Sequence, residues 1–260
     1  MKGLSGKTAF ITGASSGIGA ALAREFARND CHVALAARRQ DRLGQVAREI
    51  EALGRRAVAI RCDVRRDEDV AQAVEAARRE FGSIDVVVAN AGFGILGDLE
   101  ELSLSDYRDI FETNFFGVLR TIYAALDDLK RASGRLVIVG SMQGYISPPG
   151  ASAYSTTKFA IKSLADAIAP ELRKHGVSVT LISPGLIESE IRTACIDRRR
   201  SGPRNQTPDW LAMSADRAAR KIVRAAARRR RELIVTGHGH VLLWISRLCP
   251  WLLRLLFKAG

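Results

Sequence analysis

Short apolar runs alternate with longer amphipathic ones along this chain. The runs at 7–12, 32–37, 57–61, 84–89, 135–140, 177–182 and 232–235 have strand length and are rich in aliphatic residues. Between and after them, segments 17–29, 41–53, 67–80, 103–131, 152–174 and 214–229 space their apolar positions at helical period. Strand–helix alternation of this kind predicts an α/β fold: a doubly wound parallel sheet of about seven strands with helices on both faces. Ligands of such sheets bind beyond the carboxyl ends of the strands, so chemistry is sought in the residues that follow each strand. The pattern sets a main domain over 1–237 apart from an apolar tail at 238–260.

The first strand runs into Thr12-Gly13-Ala14-Ser15-Ser16-Gly17-Ile18-Gly19, and the helix-forming segment 20–27 follows. Strand, glycine turn, helix is the context of a Rossmann-like phosphate cradle. Glycines let the backbone approach an anion, and the helix start offers free N–H groups and a positive dipole end. A plain turn would use glycines too. The second strand ends in Ala36-Ala37-Arg38-Arg39, with no acidic residue to meet a ribose 2′-hydroxyl. The planar fork of Arg38 suits a 2′-phosphate, so the expected cofactor is NADP(H) rather than NAD(H). Solvated arginines at a strand end are the alternative. After the third strand, Asp63 could accept from an adenine amino group, cap the next helix or shape a turn. After the fourth, Asn90-Ala91-Gly92 combines a residue able to brace the neighbouring strand with two small ones that admit a cofactor. Turn chemistry alone also favours Asn and Gly.

Asn114 stands near the middle of segment 103–131, among Phe111, Phe115 and Phe116. Its amide competes for backbone hydrogen bonds. It is expected to be buried and partnered, in a structural bond or at an opening of the helix that holds a water. The fifth strand ends at Ser141, and Tyr154-Ser155-Thr156-Thr157-Lys158 follows. Positions i and i+4 share a helix face, so Tyr154 and Lys158 can enter one pocket. An ammonium beside a phenol favours the phenolate, and a hydroxyl from Ser141 can meet the same substrate oxygen. An ordinary surface Tyr/Lys pair would have the same spacing.

Composition adds limits. The chain has 260 residues, 47% hydrophobic and 26% charged, which suits one globular α/β domain. Cys31, Cys62, Cys195 and Cys249 are scattered without a CxxC pair, so neither zinc nor a disulfide framework is signalled. The net charge of +12 permits an anionic membrane surface or a polyanion. The basic residues lie on no recognition motif, which disfavours nucleic acid. The glycine turn begins too near Met1 to leave room for a secretory signal, so a cytoplasmic location is expected.

Taken in order, TGASSGIG at 12–19, Asp63, NAG at 90–92, Asn114, Ser141, YSTTK at 154–158 and Pro184-Gly185 resemble the motifs of the short-chain dehydrogenase/reductase family, over about residues 5–195. The resemblance implies a single Rossmann-like domain, commonly a homodimer or homotetramer. It also implies hydride transfer between a nicotinamide and a carbonyl/alcohol pair. It casts Tyr154 as general acid/base, Lys158 as the holder of the nicotinamide ribose, Ser141 as the orienter of the substrate oxygen, and Asn114 as the holder of a relay water. It places Gly13, Gly17, Ile18 and Gly19 at the phosphates, Ser15 and Arg38 near the 2′-phosphate, and Asp63, Asn90 and Gly92 along the cofactor. Pro184, Gly185 and Ile187 are implied at the carboxamide, and Ser189 stands where the family often has threonine. Pro170 departs from good helix chemistry and is expected to kink segment 166–174 or remove one of its backbone bonds.

Segment 189–212 is expected to form a substrate lid. Its Arg198-Arg199-Arg200 run would meet an anionic substrate or lipid headgroups, or simply face solvent. Segment 241–258 is strongly apolar but too short and too charged for a membrane span. Arg247 and Arg254 would share a face of a helix that survives Pro250, and Trp244 and Trp251 suit a headgroup boundary. The tail is therefore expected to be an interfacial amphipathic helix beside a greasy substrate entrance, with 228–231 adding attraction to acidic lipid. Packing on its own domain or on a partner subunit would also bury it. His238 and His240 flank Gly239 in an expected turn, without the further ligands a metal needs. The expected function is NADP(H)-dependent interconversion of carbonyl and alcohol on a hydrophobic lipid-, steroid- or 3-oxoacyl-like substrate. The alternatives are a non-catalytic dinucleotide sensor or scaffold, or a membrane-surface module. The Tyr154/Lys158 pair argues against a pure binder, which needs no acid.

Overall fold

The computed structural model of the chain describes residues 3–188, 196–197 and 212–252. Along the chain run β1 (Thr8–Thr12), α1 (Gly17–Arg28), β2 (His32–Ala37), α2 (Gln40–Glu51), β3 (Ala57–Arg61), α3 (Asp67–Phe81), β4 (Val86–Ala89) and the short β5 (Ile95–Leu96). Then come α4 (Leu104–Phe111), α5 (Gly117–Arg131), β6 (Arg135–Val139), α6 (Ser152–Arg173), β7 (Ser178–Ser183), the short β8 (Ile196–Asp197), α7 (Ala215–Ala227), β9 (Glu232–Ile234) and α8 (Gly237–Leu248).

Seven strands form one parallel sheet in the order β3-β2-β1-β4-β6-β7-β9. Alternate residues of each strand enter opposite layers. Ile11, Leu35, Val88 and Val137 join α1, α2 and α7 on one face. Phe10, Ala36, Val87 and Leu136 join α3, α5 and α6 on the other. Burial on both faces is why these strands read as continuous apolar runs rather than alternating ones. Strand order reverses between β1 and β4, which opens the crevice where such sheets hold ligands.

Three local features differ from the pattern read along the chain, and a fourth, at Pro170, follows one of its two expected outcomes. Segment 103–131 is not one helix: a π-turn, Glu112–Phe116, separates α4 from α5. β5 and β8 pair as a separate two-stranded ribbon, each too short for a periodic signal. Helix α6 continues through Pro170 to Arg173, so the proline removes one backbone donor without ending the helix. The tail helix does not survive Pro250. Cys249 takes φ −134°, ψ 58°, outside the helical region that is disfavoured before a proline. The single face expected for Arg247 and Arg254 required an unbroken helix, and Arg254 lies outside the described residues.

The basic run 228–231 is also placed elsewhere than beside the tail. Arg229 donates to the carbonyls of Ser133 at 2.6 Å, Gly176 at 2.9 Å and Gly134 at 3.2 Å, which precede β6 and β7. Arg231 stands 3.5 Å from Asp166. These arginines clamp the amino edge of the sheet, whereas α8 leaves the carboxyl edge. Ser189, Cys195, the basic run 198–200 and residues 253–260 lie outside the described residues. Among the described residues, no helix is long and apolar enough to cross a membrane.

Candidate active site

The glycine turn has the conformation its composition demands. Gly13 and Gly17 take φ of 68° and 52°, a region where a side chain brings strain. A Cβ on Gly19 would run into the Gly13 carbonyl and the Asn90 amide, so α1 packs flush on the turn. Its N-cap, Ser16, makes no side-chain capping bond, which leaves the first N–H groups of α1, at Gly17, Ile18 and Gly19, facing the crevice for an anion. The cradle fits a dinucleotide pyrophosphate. Gly19→Ala is expected to weaken dinucleotide binding by at least about 10-fold, because the turn must shift; fluorescence titration with NADPH checks this.

Asn90 fastens this turn to β4. Its Nδ2 donates to the carbonyls of Thr12 at 3.0 Å and Gly13 at 3.3 Å. Thr12 Oγ1 in turn accepts from the N–H groups of Asn90 at 3.1 Å and Ala91 at 3.3 Å. The bracing role read from the sequence is present, and Thr12, which no spacing had singled out, completes it.

The arginines divide their work. Arg39, not Arg38, is fastened to the turn: its guanidinium donates to Ser15 Oγ at 3.1 Å and Ser16 Oγ at 2.7 Å. Arg38 is exposed on the side of Asp63, whose carboxyl it helps to hold below its usual range. The main cause of that lowering is Arg65, which donates to the Asp63 carboxylate at 2.6 Å. Arg65 also closes a turn with its own N–H on Asp63 Oδ1 at 3.1 Å. Helix α3 is N-capped by Arg66, so Asp63 is a turn residue rather than a cap. A cleft of about 430 Å³ opens between α1 and α2 beside Ser15 and Ser16, with Arg24 and Arg42 in its walls.

At the other end of the crevice, Gly92, Asn114 and Lys158 converge. A Cβ on Gly92 would stand 3.0 Å from Asn114 Oδ1 and 3.9 Å from Lys158 Nζ. Asn114 is buried in the π-turn. Its Oδ1 accepts from the Phe93 N–H at 3.0 Å, and its Nδ2 donates to the Phe93 carbonyl at 2.9 Å and Thr157 Oγ1 at 3.2 Å. A π-turn shifts hydrogen bonding by one residue, and within it Asn114 makes the structural bonds that were one of its two expected roles. Lys158 is buried, donates to the Val139 carbonyl at 3.1 Å, and lies 5.5 Å from the centre of the Tyr154 ring. Burial lowers its ammonium pKa to about 8. Tyr154 is half-buried in an apolar cluster that includes Phe93, Ile95, Ile110 and Phe111.

Ser141 lies two residues beyond β6 and caps a single 3₁₀ turn, Met142–Gly144; its Oγ accepts from the Gln143 N–H at 3.1 Å. The turn is pressed on α6: Ser155 Oγ donates to Gln143 Oε1 at 2.9 Å, and a Cβ on Gly144 would stand 2.8 Å from the Lys158 carbonyl. Gln143 therefore ties the serine to the Tyr154 helix, a role invisible in the motif spacing. Pro184 and Gly185 lie next to this turn. The Pro184 carbonyl accepts from the Met142 N–H at 2.9 Å, and Gly185 has room for no Cβ against Thr236 and His238. Ile187 bridges to Met213. His238 is the unexpected member. It sits in the first turn of α8, and its Nε2 accepts from the Leu186 N–H at 3.1 Å. Among the described residues no group of three or more His, Cys, Asp or Glu could hold a metal.

A glycine turn at one end of the crevice of a doubly wound sheet, with tyrosine, lysine and asparagine at its other end, is the layout of a dinucleotide-dependent oxidoreductase of the α/β class. The model of short chain dehydrogenases matches residues 7–199, and the chain belongs to the short-chain dehydrogenase/reductase family. Such enzymes bind a nicotinamide dinucleotide and act on hydroxyl or carbonyl groups. The chain is 33% identical to an 11-beta-hydroxysteroid dehydrogenase A of Sesamum indicum, over 99% of this chain and 77% of that one. It is 34% identical to the ketoacyl reductase HetN of Nostoc sp., over 78% and 71%. Among solved structures, an alcohol dehydrogenase of Thermococcus sibiricus complexed with 5-hydroxy-NADP superposes with a TM-score of 0.75 at 32% identity, covering 88% and 94%. A short-chain dehydrogenase/reductase of Burkholderia phymatum in complex with NAD gives 0.83 at 25% identity, covering 95% and 94%.

Proposed function

We propose that the protein is an NADP(H)-dependent reductase or dehydrogenase that interconverts a carbonyl and an alcohol on a hydrophobic substrate. The convergence of Lys158, Asn114 and Gly92 beside the Tyr154 ring carries this reading. The bound nicotinamide supplies or accepts the hydride. Tyr154 holds the proton that moves to or from the substrate oxygen, and Ser141 Oγ, whose own proton is not committed to Gln143, donates to the same oxygen. Lys158 holds the nicotinamide ribose and keeps positive charge near the phenol. Asn114, at the π-turn, holds the water through which the lysine communicates with solvent. Pro184, Gly185, Ile187 and Ser189 take the carboxamide end, and Asp63 the adenine end. The apolar cluster around Tyr154 suits a lipid-, steroid- or 3-oxoacyl-like compound, in keeping with the similarity to a steroid dehydrogenase and a ketoacyl reductase.

The solved neighbours include both an NADP derivative and NAD, so the arginines decide the cofactor. Arg39, anchored on Ser15 and Ser16, and Arg38 offer two guanidinium groups where a 2′-phosphate would lie. Arg39→Ala is expected to raise the KM for NADPH by about 10- to 100-fold, the worth of a charge-assisted hydrogen bond, and to leave that for NADH nearly unchanged. NADPH and NADH oxidation with a panel of ketones and aldehydes measures both; equal losses would remove the arginine from this role. Homodimer or homotetramer formation belongs to the same proposal, supported by exposed Phe116 in the π-turn, Tyr123 on α5 and Phe159 on α6. So does a cytoplasmic location.

A further inference from the structure

We propose that the outward face of α8 docks the enzyme on an anionic lipid surface. A surface helix ordinarily turns its polar face outward. Helix α7 obeys: Ala218, Ala219, Ile222 and Val223 are buried while Arg217, Arg220 and Arg224 face solvent. Helix α8 is inverted. Val241, Trp244 and Leu248, spaced three and four apart on one face, are 59%, 68% and 65% exposed. Trp251, just past the break at Cys249, is 60% exposed. The opposite side is anchored by Gly239, which has no space for a Cβ against Ile234, Thr236 and Met142.

Charge selects the occupant. Residues 237–252 contain no Asp or Glu, and Arg247 is their one arginine or lysine. Arg247 is exposed beside Leu248. A second copy would bring the same cation against itself on a chain of net charge +12, whereas an anionic headgroup layer meets it with opposite sign. Tryptophan rings suit the depth where acyl chains give way to headgroups. The arrangement is that of a helix lying in the interface plane. The run 228–231, clamped on the far edge of the sheet, takes no part.

Docking of this kind would aim the site. His238 in the first turn of α8 accepts from Leu186, and Gly185 fits against Thr236 and His238, so the helix grows directly out of the carboxyl edge where Tyr154 and Ser141 lie. A membrane-dissolved carbonyl would then meet the crevice without crossing water. That benefit rests on the proposed reaction; the docking does not.

Co-sedimentation of the full chain with phosphatidylcholine vesicles, with and without phosphatidylglycerol, tests it. The wild type is expected to bind the anionic vesicles and to be released by salt. Trp244→Glu and Leu248→Glu should each lower the bound fraction by at least about 10-fold, and Arg247→Glu should weaken binding to anionic vesicles alone. These side chains are exposed, so folding and turnover of a water-soluble carbonyl should be unchanged. A wild type that stays in the supernatant, or variants that bind as well as it does, would overturn the proposal. So would variants that split a dimer in solution without altering vesicle binding, which would give the face to a second copy. Vesicle binding without turnover of any carbonyl would sink the reaction and leave the docking intact.

Discussion

Tyr154→Phe is expected to lower kcat by about 100- to 10,000-fold while the affinity for NADPH stays close to that of the wild type. The phenylalanine ring keeps the contacts with Phe93, Ile95 and Phe111, so the pocket retains its shape. What disappears is the hydroxyl proposed to exchange a proton with the substrate oxygen. Lys158 and the glycine turn, the proposed cofactor contacts, are untouched. Steady-state NADPH oxidation beside a fluorescence titration separates the two effects. Turnover equal to that of the wild type would favour a sensor over an enzyme.

Lys158→Met is expected to remove most turnover and yet to stabilise the cofactor-free protein at pH 7. The ammonium is buried, and burial lowers its pKa from 10.5 to about 8. The folded state therefore binds this proton more weakly than the unfolded chain. Below pH 8 the lysine charges the fold its full desolvation penalty, about 3 kcal/mol at 1.36 kcal/mol per unit. Between about 8 and 10.5 the unfolded chain carries more protons, so stability rises with pH and the penalty fades. Methionine avoids the penalty but forfeits the bond to the Val139 carbonyl, worth about 1 kcal/mol. The net gain of about 2 kcal/mol should raise Tm by about 4–8 °C at pH 7, and near pH 10.5, where only the lost bond counts, the variant should melt level with or slightly below the wild type. Thermal melts at the two pH values check this; a variant that melts below the wild type at pH 7 would contradict it. A buried ammonium with a lowered pKa in the crevice marks a candidate functional group.

The sheet was legible because its strands are buried on both faces, so seven apolar runs stand clear of their surroundings. The break at 112–116 was not, because Phe111, Phe115 and Phe116 keep helical spacing through the π-turn; only the misplaced amide of Asn114 hinted at it. The same holds at the site. Tyr154 and Lys158 share a face by helical geometry alone, and the structure brings Asn114 and Gly92 to them. Arg38 and Arg39 could not be told apart, because the choice depends on where the chain turns into α2, for which Arg39 is the N-cap. His238 and Leu186 meet across 52 residues, a separation over which no local pattern reports. Cys249 shows the opposite case: Pro250 announced the break one residue ahead.

The latch of Thr12 and Asn90 has a consequence for turnover. Every one of its bonds lies within the polypeptide, so the cradle keeps its form while empty. The arriving nucleotide meets a rigid receptor and spends little of its affinity on ordering it. Spent and fresh coenzyme can then trade places without any refolding of the seat between cycles.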